Sequence, residues 1–348
     1  MFQNKFSCGV RVGLCGWFFS FRMRYLLQRL GSFTSGAISA FRTRMPIGRR
    51  FQSSYAYTSS ESSSQVVKHV GFALGFTVCA FGTALVVDHY RRQRTPDRER
   101  WRKIQAALRD MGVEIGPGSR SNGIFWRKVQ EGHPIDALKE QWQSMRASKK
   151  TIAAIIGLNT LVFIAWRVRP ASAFMRKYFV HSPGSPPSAL LGSMVSHISV
   201  LHYGFNMFAL WSFGHVVHEF LDREQFLAMY ASAGVIASLC SHLLRRRASY
   251  ASLGASGALY ALMGALAAQR PEAQVGIVFL PWSASVGTFL PVLLVVEAAA
   301  LVLFRSPLDH IAHISGALCG YAYMQWGRPL WLKRDQYWAQ LMGRRGDA

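Results

Sequence analysis

Acidic residues are scarce in this chain. Its 348 residues hold 17 Asp and Glu against 40 Lys and Arg, a formal charge of +23, and no acid precedes Glu61. Cysteine is also sparse: the five residues at 8, 15, 79, 240 and 319 form no close pair with metal-ligand spacing, and the last three lie in apolar runs. That excludes a disulfide framework and a sequence-encoded zinc module. No His-Glu-x-x-His is present, so a zincin is excluded. The strand and the Gly-x-Ser-x-Gly elbow of an α/β hydrolase are missing too. No internal repeat marks the paired broken helices of a transporter. Neither a metal nor a cofactor is expected from these patterns.

Apolar residues are abundant: 50% of the chain is hydrophobic and its mean hydropathy is +0.13. High charge combined with high hydropathy is what apolar helices with basic flanks produce. A nucleic-acid-binding protein would gather its Lys and Arg on a soluble domain, and no such partner is expected. The predicted class is an all-α, polytopic membrane protein whose environment is the lipid bilayer.

The first 60 residues carry Lys5, Arg11, Arg22, Arg24, Arg29, Arg42, Arg44, Arg49 and Arg50 among serines, the pattern of a mitochondrial transit peptide. Arg49-Arg50-Phe51 resembles a matrix-processing site. A first span is expected over 69–88, whose apolar stretch from Val70 to Val87 is just long enough to cross a bilayer. A hydrophilic basic linker, 89–150, follows, broken by Gly116-Pro117-Gly118. Six further spans are expected at 151–166, 199–217, 225–244, 254–268, 287–304 and 311–326. They make a compact core over 151–327, with a proline-rich, partly interfacial loop over 167–191 and a basic tail at 328–348. The short loops hold Arg167, Arg169, Arg176, Lys177 and Arg245-Arg246-Arg247, which favour the matrix side by the positive-inside rule.

Polar groups inside apolar spans point to the chemistry, because each is costly in hydrocarbon without a partner or a task. Ser256 lies between Ala255 and Gly257 at the head of an apolar run that reaches Arg270, and Tyr260 stands one turn further on the same helix face. His202 and Asn206 share a face of another span. His313 opens the last one, where Gly316 and Gly320 form a small-xxx-small surface that admits a close neighbour. If that neighbour is the Ser256 helix, His313 reaches Ser256. A neutral imidazole would activate the hydroxyl. His202, Asn206 and the Ser256 N–H would stabilise the oxyanion. Tyr260 would orient the ring by packing. A Gly-x-Ser-Gly in an apolar helix is more often a packing motif, so the argument rests on the whole constellation. His310 is expected at the interface, and His215, His218 and Glu219 as a cluster closing a helix at the headgroups. Glu297 is buried in an apolar span and needs a partner that the sequence does not name.

Gly254-Ala-Ser256-Gly257, His202-x-x-x-Asn206 and Ala312-His313-x-x-Gly316-x-x-x-Gly320 resemble the rhomboid intramembrane serine proteases over roughly residues 150–327. The text around them, including Leu210-Trp-Ser-Phe, Phe279-Leu-Pro281 and Asp309-His310, is similar to the mitochondrial branch, the presenilin-associated rhomboid-like proteins and their fungal counterparts. The resemblance implies a six-helix core preceded by one extra helix (1+6), in the mitochondrial inner membrane. It implies a Ser256/His313 dyad and an oxyanion site at His202 and Asn206. Its substrates would be single-span membrane proteins, such as a dynamin-like GTPase of inner-membrane fusion. The Trp-Arg pair of many bacterial rhomboids is missing from 167–197. The competing reading is a non-catalytic rhomboid-like protein that retains membrane helices; loss of Ser256 or His313 would have favoured it.

Overall fold

The computed structural model describes residues 63–94, 134–245, 250–276, 283–303 and 308–343. The expected transit peptide, most of the linker, and Arg246 and Arg247 lie outside them. Within them the chain is mostly helical, with one short hairpin and the loops that join the helices. In order run α1 (Ser63–Arg94), α2 (Pro134–Ser144), α3 (Ala147–Ala165), α4 (Ser172–Tyr178), α5 (Ala189–Met194), α6 (Val200–Phe220), α7 (Arg223–Leu244) and α8 (Ser256–Gln269). Strands β1 (Gln274–Gly276) and β2 (Ser283–Ser285) pair antiparallel, and α9 (Val286–Leu303), α10 (His310–Ala322), α11 (Arg328–Leu332) and α12 (Arg334–Gly343) complete the chain. The seven apolar runs fall on α1, α3, α6, α7, α8, α9 and α10. Among the described residues α1, α3, α7 and α9 are long and apolar enough to cross a membrane by length and composition.

Helix α8 is the centre. Ala258, Ala261, Leu262, Ala265 and Leu266 are almost wholly enclosed, and α6, α7 and α10 surround the helix. Its 14 residues extend about 21 Å, short of a bilayer core, so it is sheltered by the longer helices. The outer helices show the reverse pattern: Leu158, Leu161 and Ile164 on α3 and Val295, Val296 and Val302 on α9 are exposed. Such outward apolar faces suit lipid. On α9 the buried positions are Val286, Leu290 and Glu297, one helical stripe turned toward the core.

Lipid tails are as apolar as Leu, so close packing and internal hydrogen bonds must hold these helices together. The pair α8 and α10 meets through small residues. A Cβ added at Gly316 would lie 2.1 Å from the Gly257 carbonyl oxygen, and one at Gly320 would lie 1.9 Å from that of Ala261. No side chain fits there, and the two backbones touch.

Helix α1 is longer than its apolar run because polar turns extend it at both ends, and it packs along α7. At one end Asp88 accepts from Arg92 at 2.9 Å and from Arg334 at 2.8 Å. Asp222, beside the start of α7, receives the same two guanidinium groups at 3.0 and 3.1 Å. Arg91 pairs with Glu224 at 3.0 Å. Asp88 and Arg334 are buried. The segment read as a basic tail is therefore part of the packed structure, with Trp331 enclosed beside Ala84 and Ala228. The loop over 167–191 is also more ordered than its prolines suggest, since α4 and α5 form around them. Of the described linker, α2 is helical, and most of its described residues are exposed.

Gly320→Ala should weaken the fold by about 1–3 kcal/mol, because the new methyl overlaps a backbone carbonyl. Gly71→Ala on α1, where nothing lies within 4 Å, should be neutral or slightly stabilising. Thermal unfolding of both variants in detergent measures the contrast, and equal effects would show that the α8–α10 contact is not tight.

Candidate active site

Ser256 is the first residue of α8. The turn that delivers it requires Gly254, whose φ of +130° is a conformation that side chains rarely adopt; a Cβ there would also lie 2.6 Å from the His202 ring. The Gly254 N–H donates to the Ser193 carbonyl at 2.8 Å. The Ala255 N–H donates to His197 Nε2 at 3.3 Å. His197 is fully buried, and its pKa is pushed down by that burial and by neighbouring His202, which keeps it an acceptor. At the start of a helix the Ser256 N–H has no intrahelical partner and points out at the positive end of the dipole.

His313 comes from the first turn of α10. Asp309 caps that helix, accepting from the Ala312 N–H at 3.2 Å. The same carboxylate accepts from the Ser241 hydroxyl at 2.7 Å and from that of Ser252 at 2.6 Å. Arg245 lies 3.5 Å away. One side chain thus ties the end of α7, the loop before Ser256 and the helix of His313 together.

Across the α8–α10 contact His313 Nε2 lies 2.8 Å from Ser256 Oγ. Its Nδ1 faces Glu297 Oε1 at 2.9 Å. A carboxylate can only accept, so that proton sits on Nδ1 and Nε2 is left to accept from the serine. Tyr260 stacks flat on the imidazole, with centroids 4.4 Å apart and 4° between planes. Its hydroxyl donates to the same Glu297 carboxylate, which also receives Nδ1–H of His310. Serine, imidazole and carboxylate therefore form a continuous chain, with the aromatic ring fixed to both of the last two.

His202 stands on the first turn of α6 against Gly254. Asn206, one turn further and buried, donates from Nδ2 to the His202 carbonyl at 2.8 Å. That amide retains a second N–H. Gly257, Gly316 and Gly320 lie in the α8–α10 contact.

Two expectations are corrected. His310 is not interfacial: it is buried beside Glu297, because the turn after Asp309 rolls it inward. Of the group at 215–219, His218 is a core residue whose Nε2 lies 3.2 Å from Thr151 Oγ1, joining α3 to α6. His215 bonds Trp211 of its own helix, and Glu219 pairs with Arg146 at 3.6 Å. Sequence reasoning missed Asp309 and His197. An Asp just before a helix is an N-cap signal that was available for Asp309; His197 carries none. Glu297, whose partner the sequence could not name, is at the centre of the arrangement.

Replacing Asp309 with Ala removes three donors' shared acceptor. It should lower stability by about 1–3 kcal/mol and speed hydrogen exchange at the Ser252, Gly254 and Ala255 amides. Unchanged exchange there would show that the loop is held by other contacts.

Comparison with known proteins adds to this geometry. The Rhomboid domain family model matches residues 187–328. The chain is 34% identical over 291 residues to the zebrafish (Danio rerio) presenilin-associated rhomboid-like protein A, mitochondrial, covering 80% of this chain and 76% of that protein. It is 30% identical over 181 residues to the mitochondrial rhomboid protein 1 of Saccharomyces cerevisiae, covering 50% and 52%. It is 32% identical over 132 residues to the rhomboid protease GluP of Bacillus subtilis, covering 38% and 24%.

Proposed function

The chain belongs to the rhomboid family, and we propose that it is an intramembrane serine endopeptidase that cleaves single-span membrane proteins in the mitochondrial inner membrane. Its mitochondrial relatives and apolar helices mark a multi-pass mitochondrial membrane protein, and the 1+6 helix arrangement is part of this reading. The observation that carries the protease assignment is the 2.8 Å contact between Ser256 Oγ and His313 Nε2 inside a sheltered helix pair. GluP, a relative named as a protease, supports the same reaction class.

In the proposed mechanism Ser256 Oγ attacks the scissile carbonyl of a locally unwound substrate helix, and its proton passes to His313 Nε2. The imidazolium formed is held by Glu297 through Nδ1–H and by the Tyr260 face. Charge on the tetrahedral oxygen is met by the Ser256 N–H, with Asn206 Nδ2 and His202 as further donors. His313 then returns the proton to the leaving amine, and water resolves the acyl enzyme by the reverse sequence. Intact helices protect their peptide bonds, so favoured substrates carry Gly, Pro or polar residues near the cut.

Glu297 extends the expected dyad to a triad-like chain. It acts as a positioning residue, since it bonds the base and leaves the serine untouched. Tyr260 supports both.

With a tagged single-span substrate in proteoliposomes, Ser256→Ala and His313→Ala should each abolish cleavage in protein that folds and expresses normally. Binding without any cleavage by the wild type would instead favour a helix-retaining protein. Glu297→Gln should lower kcat on the order of 10²–10⁴-fold with KM little changed, as expected when an imidazole loses its orienting carboxylate. Tyr260→Phe, which keeps the stack, should be the milder change. Equal kcat values for wild type and Glu297→Gln would remove the positioning role.

A further inference from the structure

A second cluster of imidazoles lies apart from Ser256. His69 on α1, His181 in the loop between α4 and α5, and His242 in the last turn of α7 converge, each no more than 4% exposed. One ring nitrogen from each lies within 4.8 Å of the other two. His181 Nε2 is 3.0 Å from His242 Nδ1. The His69 ring stacks on His242 with centroids 4.2 Å apart and meets His181 edge-on at 5.6 Å. Residues 69, 181 and 242 share no sequence motif, so only the fold assembles them.

We propose that His69, His181 and His242 form a binding site for a divalent transition-metal ion, with Zn²⁺ the preferred occupant. Three converging neutral imidazoles suit Zn²⁺, whose tetrahedral bonds of about 2.0–2.1 Å put ligand nitrogens about 3.3 Å apart. The His181–His242 pair already has nearly that spacing, and a His69 ring nitrogen lies within 4.8 Å of both. His69 Nδ1–H donates to the Gln65 carbonyl at 2.8 Å, which puts the lone pair on Nε2. That second hydrogen bond is the usual way a ligand histidine is oriented. His181 is fully buried, and its Nε2 is turned toward His242 Nδ1 and so into the cluster. The Tyr250 hydroxyl, 3.0 Å from His242 Nδ1, stands ready as a neighbouring polar group.

The site would clamp the extra N-terminal helix to the core on the face of Ser256. His181 and Ser252 exchange backbone hydrogen bonds of 2.9 and 2.8 Å, and Ser252 is bonded to the Asp309 cap. An ion held by His181 therefore braces the loop before Ser256 and the start of the His313 helix. Binding itself does not depend on the protease reading, and neither does its test.

The test uses the full chain, stripped of metal and kept in detergent, with Zn²⁺ or Co²⁺ alone as the probe. One equivalent of Zn²⁺ should bind and raise the unfolding temperature. X-ray absorption of the Zn²⁺ form should count three imidazole ligands. His181→Gln and His242→Gln should each weaken binding at least tenfold, while His310→Gln leaves it intact. The last variant separates this site from Glu297, His310 and His313, whose donor atoms also lie within 4.8 Å of one another. Failure to bind Zn²⁺ overturns the proposal. So does a spectrum of two imidazoles with a carboxylate, or binding lost with His310→Gln and kept with His181→Gln. Because the ligand count comes from unsubstituted protein, a variant that fails to fold does not protect the proposal.

Discussion

Everything at the candidate site depends on two backbones touching. Where lipid replaces water, burying apolar side chains supplies little reason for one helix to choose another. What remains is the distance of approach, and Gly316 and Gly320 let α10 reach the Gly257 and Ala261 carbonyls of α8 with nothing between. That contact sets the spacing of the two helices and brings His313 to hydrogen-bonding distance of Ser256. A methyl group on either glycine would overlap a backbone carbonyl and push the two helices apart.

Polar groups then fix what close approach leaves free. Asp309 holds the end of α7, the loop before Ser256 and the cap of α10, so the two halves of the site are referred to one carboxylate. Glu297 reaches in from α9, which packs on α10, and bonds the His313 ring while Tyr260 stacks on it. Each acid accepts from several donors, which makes burial tolerable in a low-dielectric interior. The scarcity of acids in the chain gives this weight: of 17 carboxylates, Asp88, Asp222, Asp309 and Glu297 are each used to join separate segments. The ion cluster around Asp88 and Arg334 closes α1 against α7 at one end, and the histidine cluster closes it at the other.

Much was legible because the relevant signals are local. Apolar runs between basic flanks predict helices, and the helices fall where the runs do, with ends moved by a few residues where polar turns continue the spiral. Ser256 with Tyr260, His202 with Asn206, and His313 with Gly316 and Gly320 are each pairs or triplets at helical spacing. Their common face follows from 3.6 residues per turn alone. Arg334 and Trp331 were not legible as packed residues, since a short basic segment after the last apolar run looks the same whether it folds back or not. His310 was misread for the same reason: its depth depends on how α10 is rotated, and rotation is set by a neighbour.

The sequence by itself determined the class of molecule, the helical segments, the small-residue face, and which residue types were available for nucleophile and base. Hydropathy, charge and periodicity are properties of neighbours along the chain. Only the tertiary structure decided that Glu297 meets His313, Tyr260 and His310, that Asp309 joins three segments, and that His69, His181 and His242 converge. Those contacts link residues 13 to 173 positions apart on different elements, and their existence depends on how helices cross and rotate against one another, which no local pattern encodes.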